Sequence, residues 1–278
     1  MIKKEKVTIY DDRERPPNLF NVPNLKLVTK PDEIALDPRE QPILILSRST
    51  IKNRATNFLP QQIAQDQKRI RLAVESLNPG SKVIFLSSGG AIYGQNEDGE
   101  KSREIDPINP VTAYGKSKQI LEMYVSDICK AYSLNLVIVR PGNPIGKSHL
   151  KYKLQNVADI YLSNLLSGQK LEIWGSLEIE KDFFDIRDLA IAIYRLGTDR
   201  RITGIYNVGS GVGTSLHGLI NTISLVTKKD FELEIHNPIA TDISRYALSI
   251  DKISNDLDWQ PAFSLVDTIS KLHKDMMQ

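Results

Sequence analysis

Cysteine is nearly absent from the 278 residues: Cys129 stands alone, so no intrachain disulfide can form. One Cys and four scattered His offer no zinc-ligand spacing. Charge of one sign is not in excess either. A net charge of +2 provides no strong field to draw nucleic acid or a membrane surface. Short basic runs such as Lys3-Lys4 and Lys228-Lys229 read as solvated surface. No apolar run approaches the roughly 20 residues of a membrane span. The opening Met1-Ile2-Lys3-Lys4-Glu5-Lys6 is too polar for a signal peptide. A cytoplasmic protein without nucleic-acid or membrane partners is the expectation. Glycine, finally, is missing over a long stretch, since none precedes Gly80. A glycine-rich phosphate loop is therefore excluded ahead of that residue.

What is present is ordinary for a soluble globular protein, with 41% apolar and 25% charged residues. The length suits one large α/β domain, or one such domain with a substrate-binding lobe. Short apolar, β-branched runs at Val7 to Tyr10, Pro42 to Leu46, Lys82 to Leu86 and Leu134 to Val139 read as buried parallel strands. Between them, Gln61 to Leu77 and Lys116 to Tyr132 carry apolar residues at helical spacing. Strand and helix alternate, which predicts a parallel sheet covered by helices on both faces.

The pattern changes after Pro144. Helices are expected over Val157 to Leu166, Asp188 to Leu196, Ser215 to Val226 and Leu265 to Met277. Strands are expected at Lys170 to Trp174 and Ile205 to Val208. These pieces interleave too closely for two separate domains. A nucleotide-binding core with a smaller C-terminal lobe fits them better.

The chemistry centres on Ala113-Tyr114-Gly115-Lys116-Ser117-Lys118. Residues four apart share one helix face, so the Lys118 ammonium can stand beside the Tyr114 phenol. A nearby cation stabilises a phenolate and lowers its pKa. Tyr114 could then exchange a proton with a substrate hydroxyl as general acid or base. Taken alone, the same spacing also suits a tyrosine packed at a helix start beside a solvated lysine. Upstream, the strand Val83-Ile84-Phe85-Leu86 opens into Ser87-Ser88-Gly89-Gly90-Ala91-Ile92-Tyr93-Gly94. Ligands of open parallel sheets bind outside the carboxyl ends of the strands. Ser88 is placed to bond a substrate oxygen there. Val139-Arg140-Pro141-Gly142-Asn143-Pro144 also follows a strand, and Asn143 offers both a donor and an acceptor. Further on come Lys181-Asp182-Phe183-Phe184-Asp185-Ile186-Arg187-Asp188, Tyr206-Asn207-Val208-Gly209-Ser210-Gly211, Asp242 with Arg245, and Leu257-Asp258-Trp259-Gln260-Pro261. Singly, each reads as a turn or a cap.

Together and in this order, the segments resemble the extended short-chain dehydrogenases of the NAD-dependent epimerase/dehydratase family. The resemblance spans roughly residues 7 to 275 and is most specific from Val83 to Asp188. It implies a Rossmann-like doubly wound α/β fold with a smaller C-terminal α/β substrate lobe. The division implied is an NAD-binding core over residues 1–143 and a lobe over residues 144–278. It implies NAD as cofactor and a nucleotide sugar, a UDP-hexose, as substrate, with interconversion at C4 as between UDP-glucose and UDP-galactose. A homodimer through a bundle that includes the Tyr114 helix is implied as well. By the same resemblance Tyr114, Lys118 and Ser88 are catalytic. Asp11, Asp12, Ser47, Tyr114, Lys118 and Pro141 face the cofactor. Ser88, Asn143, Lys181 and Arg245 face the substrate. The implied mechanism has an ionised Tyr114 take the 4-hydroxyl proton while hydride passes to NAD. The 4-keto sugar then turns and takes the hydride back on its other face.

The carry-over is uneven. Lys181 stands where the family has Arg; lysine attracts a phosphate but lacks the bidentate fork. Counting back from Tyr93-Gly94, the usual hydroxyl position falls on Gly89, one residue beyond Ser88. The Thr-Asp-Glu triplet of 4,6-dehydratases is missing at this place, which argues against dehydration. A binding relative without turnover, or a reductase or dehydratase, is the alternative. The family also opens with a strand, GxxGxxG and a helix, whereas Val7 to Tyr10 followed by Asp11-Asp12 resembles its second strand. A first βα unit of about 30 residues is therefore not visible in this chain, and NAD binding is expected to be impaired. Without that strand, two central neighbours must either pair with each other or leave buried amides unpaired, at roughly 1–3 kcal/mol each.

Overall fold

The computed structural model describes residues 7–10, 25–28, 41–47, 50–51, 60–95, 99–146, 156–237 and 245–277. In chain order, the first elements are β1 (Val7–Tyr10), β2 (Leu25–Val28), β3 (Ile43–Leu46), α1 (Pro60–Glu75), β4 (Lys82–Leu86), α2 (Gly89–Tyr93), α3 (Ala113–Ala131) and β5 (Asn135–Pro141). Then follow β6 (Asn143–Ile145), α4 (Val157–Leu166), β7 (Leu171–Trp174), β8 (Glu180–Asp185), α5 (Ile186–Thr198) and β9 (Gly204–Val208). The last are β10 (Gly213–Ser215), α6 (Leu216–Thr227), β11 (Leu233–His236), α7 (Asp251–Leu257) and α8 (Leu265–Met276). The chain divides into two units. One comprises Met1–Ile92, Pro110–Arg140 and Ile193–Tyr206; the other comprises Tyr93–Asn109, Pro141–Ala192 and Asn207–Gln278.

The first unit is built on a six-stranded sheet in the order β2-β1-β3-β4-β5-β9. β1 to β5 are joined by parallel ladders. β1 lies directly against β3, with Val7 opposite Ile43, Thr8 opposite Leu44, Ile9 opposite Ile45 and Tyr10 opposite Leu46. The two strands thus complete each other's ladder, and no amide row is orphaned between them. The order 2-1-3-4-5 is itself a doubly wound arrangement, with its direction of winding reversing between β1 and β3.

β4 is apolar on both faces after Lys82, as a strand covered by helices on two sides must be. Lys82 is itself fully buried. Its Nζ donates to the Leu196 carbonyl at 3.0 Å and to that of Asp199, at the C-terminal end of α5. Unsatisfied carbonyls and the negative end of the helix dipole thus receive the buried charge. The core of this unit joins Leu44, Val83 and Phe85 of the sheet to Ile63, Ile70 and Val74 of α1 and Leu121, Val125 and Ile128 of α3.

In the first unit, two helix starts differ from the sequence expectation for local reasons. α1 begins at Pro60, whose fixed φ and missing N–H suit the first helical position. α3 begins at Ala113 rather than Lys116, because the Thr112 side chain accepts the Gly115 N–H at 2.9 Å as N-cap. That cap draws Tyr114 into the first turn. The second unit has its own core, where Leu171 and Ile173 of β7 and Phe183 of β8 pack with Leu162, Leu219 and Ile269 of its helices. β8 is its central strand, antiparallel to β10 and parallel to β6. No helix among the described residues is long and apolar enough to cross a membrane.

Candidate active site

In the first unit, β4 ends at Leu86, and Ser87-Ser88 lead from its carboxyl end into α2. The first turn of α3 presses onto α2 at Gly115. A Cβ there would stand 2.2 Å from the Ala91 carbonyl oxygen, so only glycine permits the approach. The result brings the Ser88 side chain near the Tyr114 phenol. Ser88, one residue before the position expected from the family pattern, supplies the hydroxyl at the phenol.

Lys118 follows one turn later and is buried, at 2% exposure. Its Nζ donates to the Leu86 carbonyl at 2.9 Å and lies 5.6 Å from the centre of the Tyr114 ring and 5.2 Å from that of Phe85. The ammonium therefore faces ring carbon and a strand-end carbonyl. This corrects the expectation of a phenol acidified by its neighbour. Burial pushes Tyr114 up to about 12, with the nearby Ser88 side chain acting in the other direction. Burial brings Lys118 down to about 8, opposed by the negative charges of Asp66 and Glu122. In this state Tyr114 holds its proton at neutral pH.

Two carboxylates that sequence reasoning passed over frame the pair. Glu122, one turn beyond Lys118, is buried and takes Arg140 in a bidentate ion pair, Nε to Oε1 at 3.1 Å and Nη2 to Oε2 at 2.7 Å. The fork fixes α3 to the end of β5. Asp66 is buried on the inner face of α1. Both its oxygens accept the Thr50 N–H, at 3.1 and 2.9 Å, which ties down the segment after β3. The sequence signals were present: an i,i+4 step from Lys118, and an acid among Ile63, Ile70, Ala73 and Val74 on the apolar stripe. Ser47 is exposed just past the end of β3. Asp11, Asp12 and Asp242 lie outside the described residues.

The second unit collects the substrate-facing candidates around β8. Asn143, half-buried on β6, lies opposite Phe183, and Lys181 is half-buried on β8 itself. Arg245 is exposed, bridges Glu180 through its backbone, and donates from Nε to the Glu180 carboxylate at 2.8 Å. Pro141 is buried at the end of β5. Three other motifs prove to be architecture. Asp188 accepts the N–H groups of Ala262 and Phe263, at 3.0 and 3.2 Å. Asn207 is fully buried, accepts the Tyr93 hydroxyl at 2.9 Å and donates to the Ser102 carbonyl at 2.9 Å. Trp259 is buried, next to the left-handed Asp258 that ends α7. A cleft of about 730 Å³ in this unit is lined by residues including Tyr93, Arg103, Asn109 and Asp251, and by none of the predicted site residues.

A Tyr-x-x-x-Lys pair at the start of a helix, with a serine near the phenol and a doubly wound sheet beneath, marks a short-chain dehydrogenase type of protein. More narrowly, the chain belongs to the NAD dependent epimerase/dehydratase family, which matches residues 61–209. It is 32% identical over 199 residues to the dTDP-4-dehydro-6-deoxyglucose reductase of Escherichia coli, covering 72% of this chain and 62% of that protein. Against the UDP-glucose 4-epimerase of Mycolicibacterium smegmatis it is 30% identical over 203 residues, covering 73% and 64%. The chain thus spans a little under two thirds of the length of these curated relatives. In fold it is similar to the UDP-glucose 4-epimerase of Thermotoga maritima solved with UDP-glucose, at TM-score 0.78 and 22% identity, covering 98% of this chain and 91% of that one. The Thermus thermophilus UDP-glucose 4-epimerase solved with NAD gives TM-score 0.79 at 20% identity, covering 97% and 90%.

Proposed function

We propose that this protein acts on a nucleotide sugar, a UDP-hexose, as a 4-epimerase of the UDP-glucose/UDP-galactose type. The observation that carries the reading is the cluster of Ser88, Tyr114 and Lys118. Tyr114 is the group that exchanges a proton with the sugar 4-hydroxyl. Ser88, near the phenol, can bond the same hydroxyl. Lys118 holds positive charge under the ring and, by its reach to the Leu86 carbonyl, keeps that charge at the strand end. In the second unit, Lys181 and Arg245 supply the cations for a diphosphate and Asn143 a two-way hydrogen-bonding group for the sugar. Arg245 must leave Glu180 to do so.

NAD, when bound, would take up and return the sugar hydride. The fit of this chain to it is partial. Tyr114 and Lys118 suit the nicotinamide ribose. No glycine precedes Gly80, however, and β1 pairs directly with β3 where a phosphate-binding strand and loop would insert. Weak NAD affinity is therefore part of the proposal. So is a homodimer, supported by the exposed Leu72 of α1 and Met123 of α3 in the first unit.

Incubation with NAD and UDP-glucose should yield UDP-galactose, and Tyr114→Phe should stop that conversion while leaving UDP-glucose binding unchanged. Turnover surviving in the Phe variant would remove Tyr114 from the mechanism. The 32% identity to a reductase favours one second reading. A reductase consumes reduced cofactor in proportion to product, whereas an epimerase consumes none, so the absorbance of the reduced nicotinamide separates the two.

A further inference from the structure

Asp182 is a fully buried acid that the proposed mechanism does not use. Its Oδ1 accepts the Ser210 N–H at 2.7 Å and the Ser210 hydroxyl at 2.6 Å. Its Oδ2 accepts the N–H groups of Gly211 at 3.2 Å and Leu248 at 3.1 Å. All four donors are neutral. A buried carboxylate held this way is costly unless every bond is kept, and burial accordingly pushes its pKa up.

The backbone around it is cut to fit. A Cβ on Gly209 would lie 2.6 Å from Oδ2, and one on Gly142 would lie 2.7 Å from the Asp182 carbonyl oxygen and 3.2 Å from its Cγ. Three segments far apart in sequence therefore meet at one side chain: Gly142, Gly209 to Gly211, and Leu248. Two of them, and Asp182 itself, lie close in sequence to a substrate-facing candidate. Asn143 follows Gly142 and pairs with β8 opposite Phe183. Lys181 is the residue before Asp182. Arg245 leads into Tyr246, whose N–H reaches the Glu180 carbonyl at 3.3 Å, and then to Leu248.

We propose that Asp182 is a positioning residue of the nucleotide-sugar site, its carboxylate pinning Ser210-Gly211 and Leu248 while Gly142 packs against it, so that Asn143, Lys181 and Arg245 hold one arrangement suited to a sugar diphosphate. The idea rests on the nucleotide-sugar reading. Asp182 touches no substrate and acts through these neighbours. Asparagine keeps the volume but turns an amide NH2 toward a site that already holds four donors.

The test is calorimetric titration of the full chain with UDP. Asp182→Asn should weaken UDP binding about tenfold or more, as expected when hydrogen bonds to a charged group are lost. The ultraviolet titration of Tyr114, in the other unit, should not move. Arg245→Ala alone should also weaken binding, but should add little on the Asp182→Asn background, because the arginine is already misplaced there. Additive losses, or an unchanged UDP affinity in Asp182→Asn, would overturn the pin while leaving the nucleotide-sugar reading intact. No UDP binding by the unmodified chain would remove that reading, and the pin with it. If Asp182→Asn does not fold, Ser210→Ala removes a single donor and should shift UDP affinity about two- to fivefold in the same direction. A neutral Ser210→Ala would count against the proposal.

Discussion

Replacing Lys118 by methionine should stabilise the protein at neutral pH, and the gain should shrink as the pH rises. Burial takes the Lys118 pKa from 10.5 to about 8. Between those values the unfolded chain binds a proton that the folded chain does not, so wild-type stability rises with pH across the window. Below pH 8 both states are protonated and the full cost of burying the charge is present, about 3 kcal/mol for this shift. Methionine keeps the length of the side chain and removes the charge. It also removes the hydrogen bond to the Leu86 carbonyl, worth about 1 kcal/mol. The net gain expected at pH 7 is therefore about 2 kcal/mol. It should fall toward zero or reverse near pH 10. Tyr114, raised from 10.0, contributes a pH dependence only above that range, and equally in both proteins. Urea unfolding of both proteins at pH 7, 8, 9 and 10 measures the difference. A methionine variant less stable at pH 7, or a difference that does not change with pH, would refute the reasoning.

Other substitutions probe the same frame. Asp66→Asn should lower the Lys118 pKa below about 8, since Asp66 is the first of the charges that oppose its fall; carbon-13 NMR of reductively methylated lysine would read the shift, and an unmoved resonance would rule the coupling out. Glu122→Ala strands the buried Arg140 guanidinium and should cost about 3–5 kcal/mol in urea unfolding; a loss under 1 kcal/mol would mean that solvent reaches the arginine. Gly115→Ala sets a methyl against the Ala91 carbonyl. It should destabilise by about 1–3 kcal/mol and break the Ser88–Tyr114 contact, so that the phenol titration moves as it does in Ser88→Ala. Identical wild-type and Gly115→Ala titrations would show that the helix start can yield without disturbing Tyr114.

Much of this protein is local and was legible in the residues. β3, β4 and β5 follow from apolar, β-branched runs too short for helices, and α3 from its apolar stripe, because periodicity reports which faces are covered. The short strands β6, β10 and β11 have three or four residues and mixed exposure, so no pattern announced them. β2, Leu25–Val28, is as short and was passed over as well. Family membership was legible too, because four motifs fall in order between Val83 and Asp188 and each is tied to a strand end or a helix start.

What the residues by themselves determined is therefore the inventory: a tyrosine and a lysine one helical turn apart, a serine at a strand end, an asparagine and two cations further on, and no glycine before Gly80. The tertiary structure decided their state. Whether Lys118 acidifies Tyr114 depends on where its ammonium points, and it points to the Leu86 carbonyl, with Lys118 buried and Tyr114 half-buried, so desolvation outweighs attraction. Whether the sheet could close without a further strand depended on register, and β1 and β3 pair over four positions. Asp182 looked like a motif residue, but its role depends on donors from Ser210, Gly211 and Leu248, which only the fold brings together. Long-range pairing and burial set these outcomes, and neither is written in local spacing.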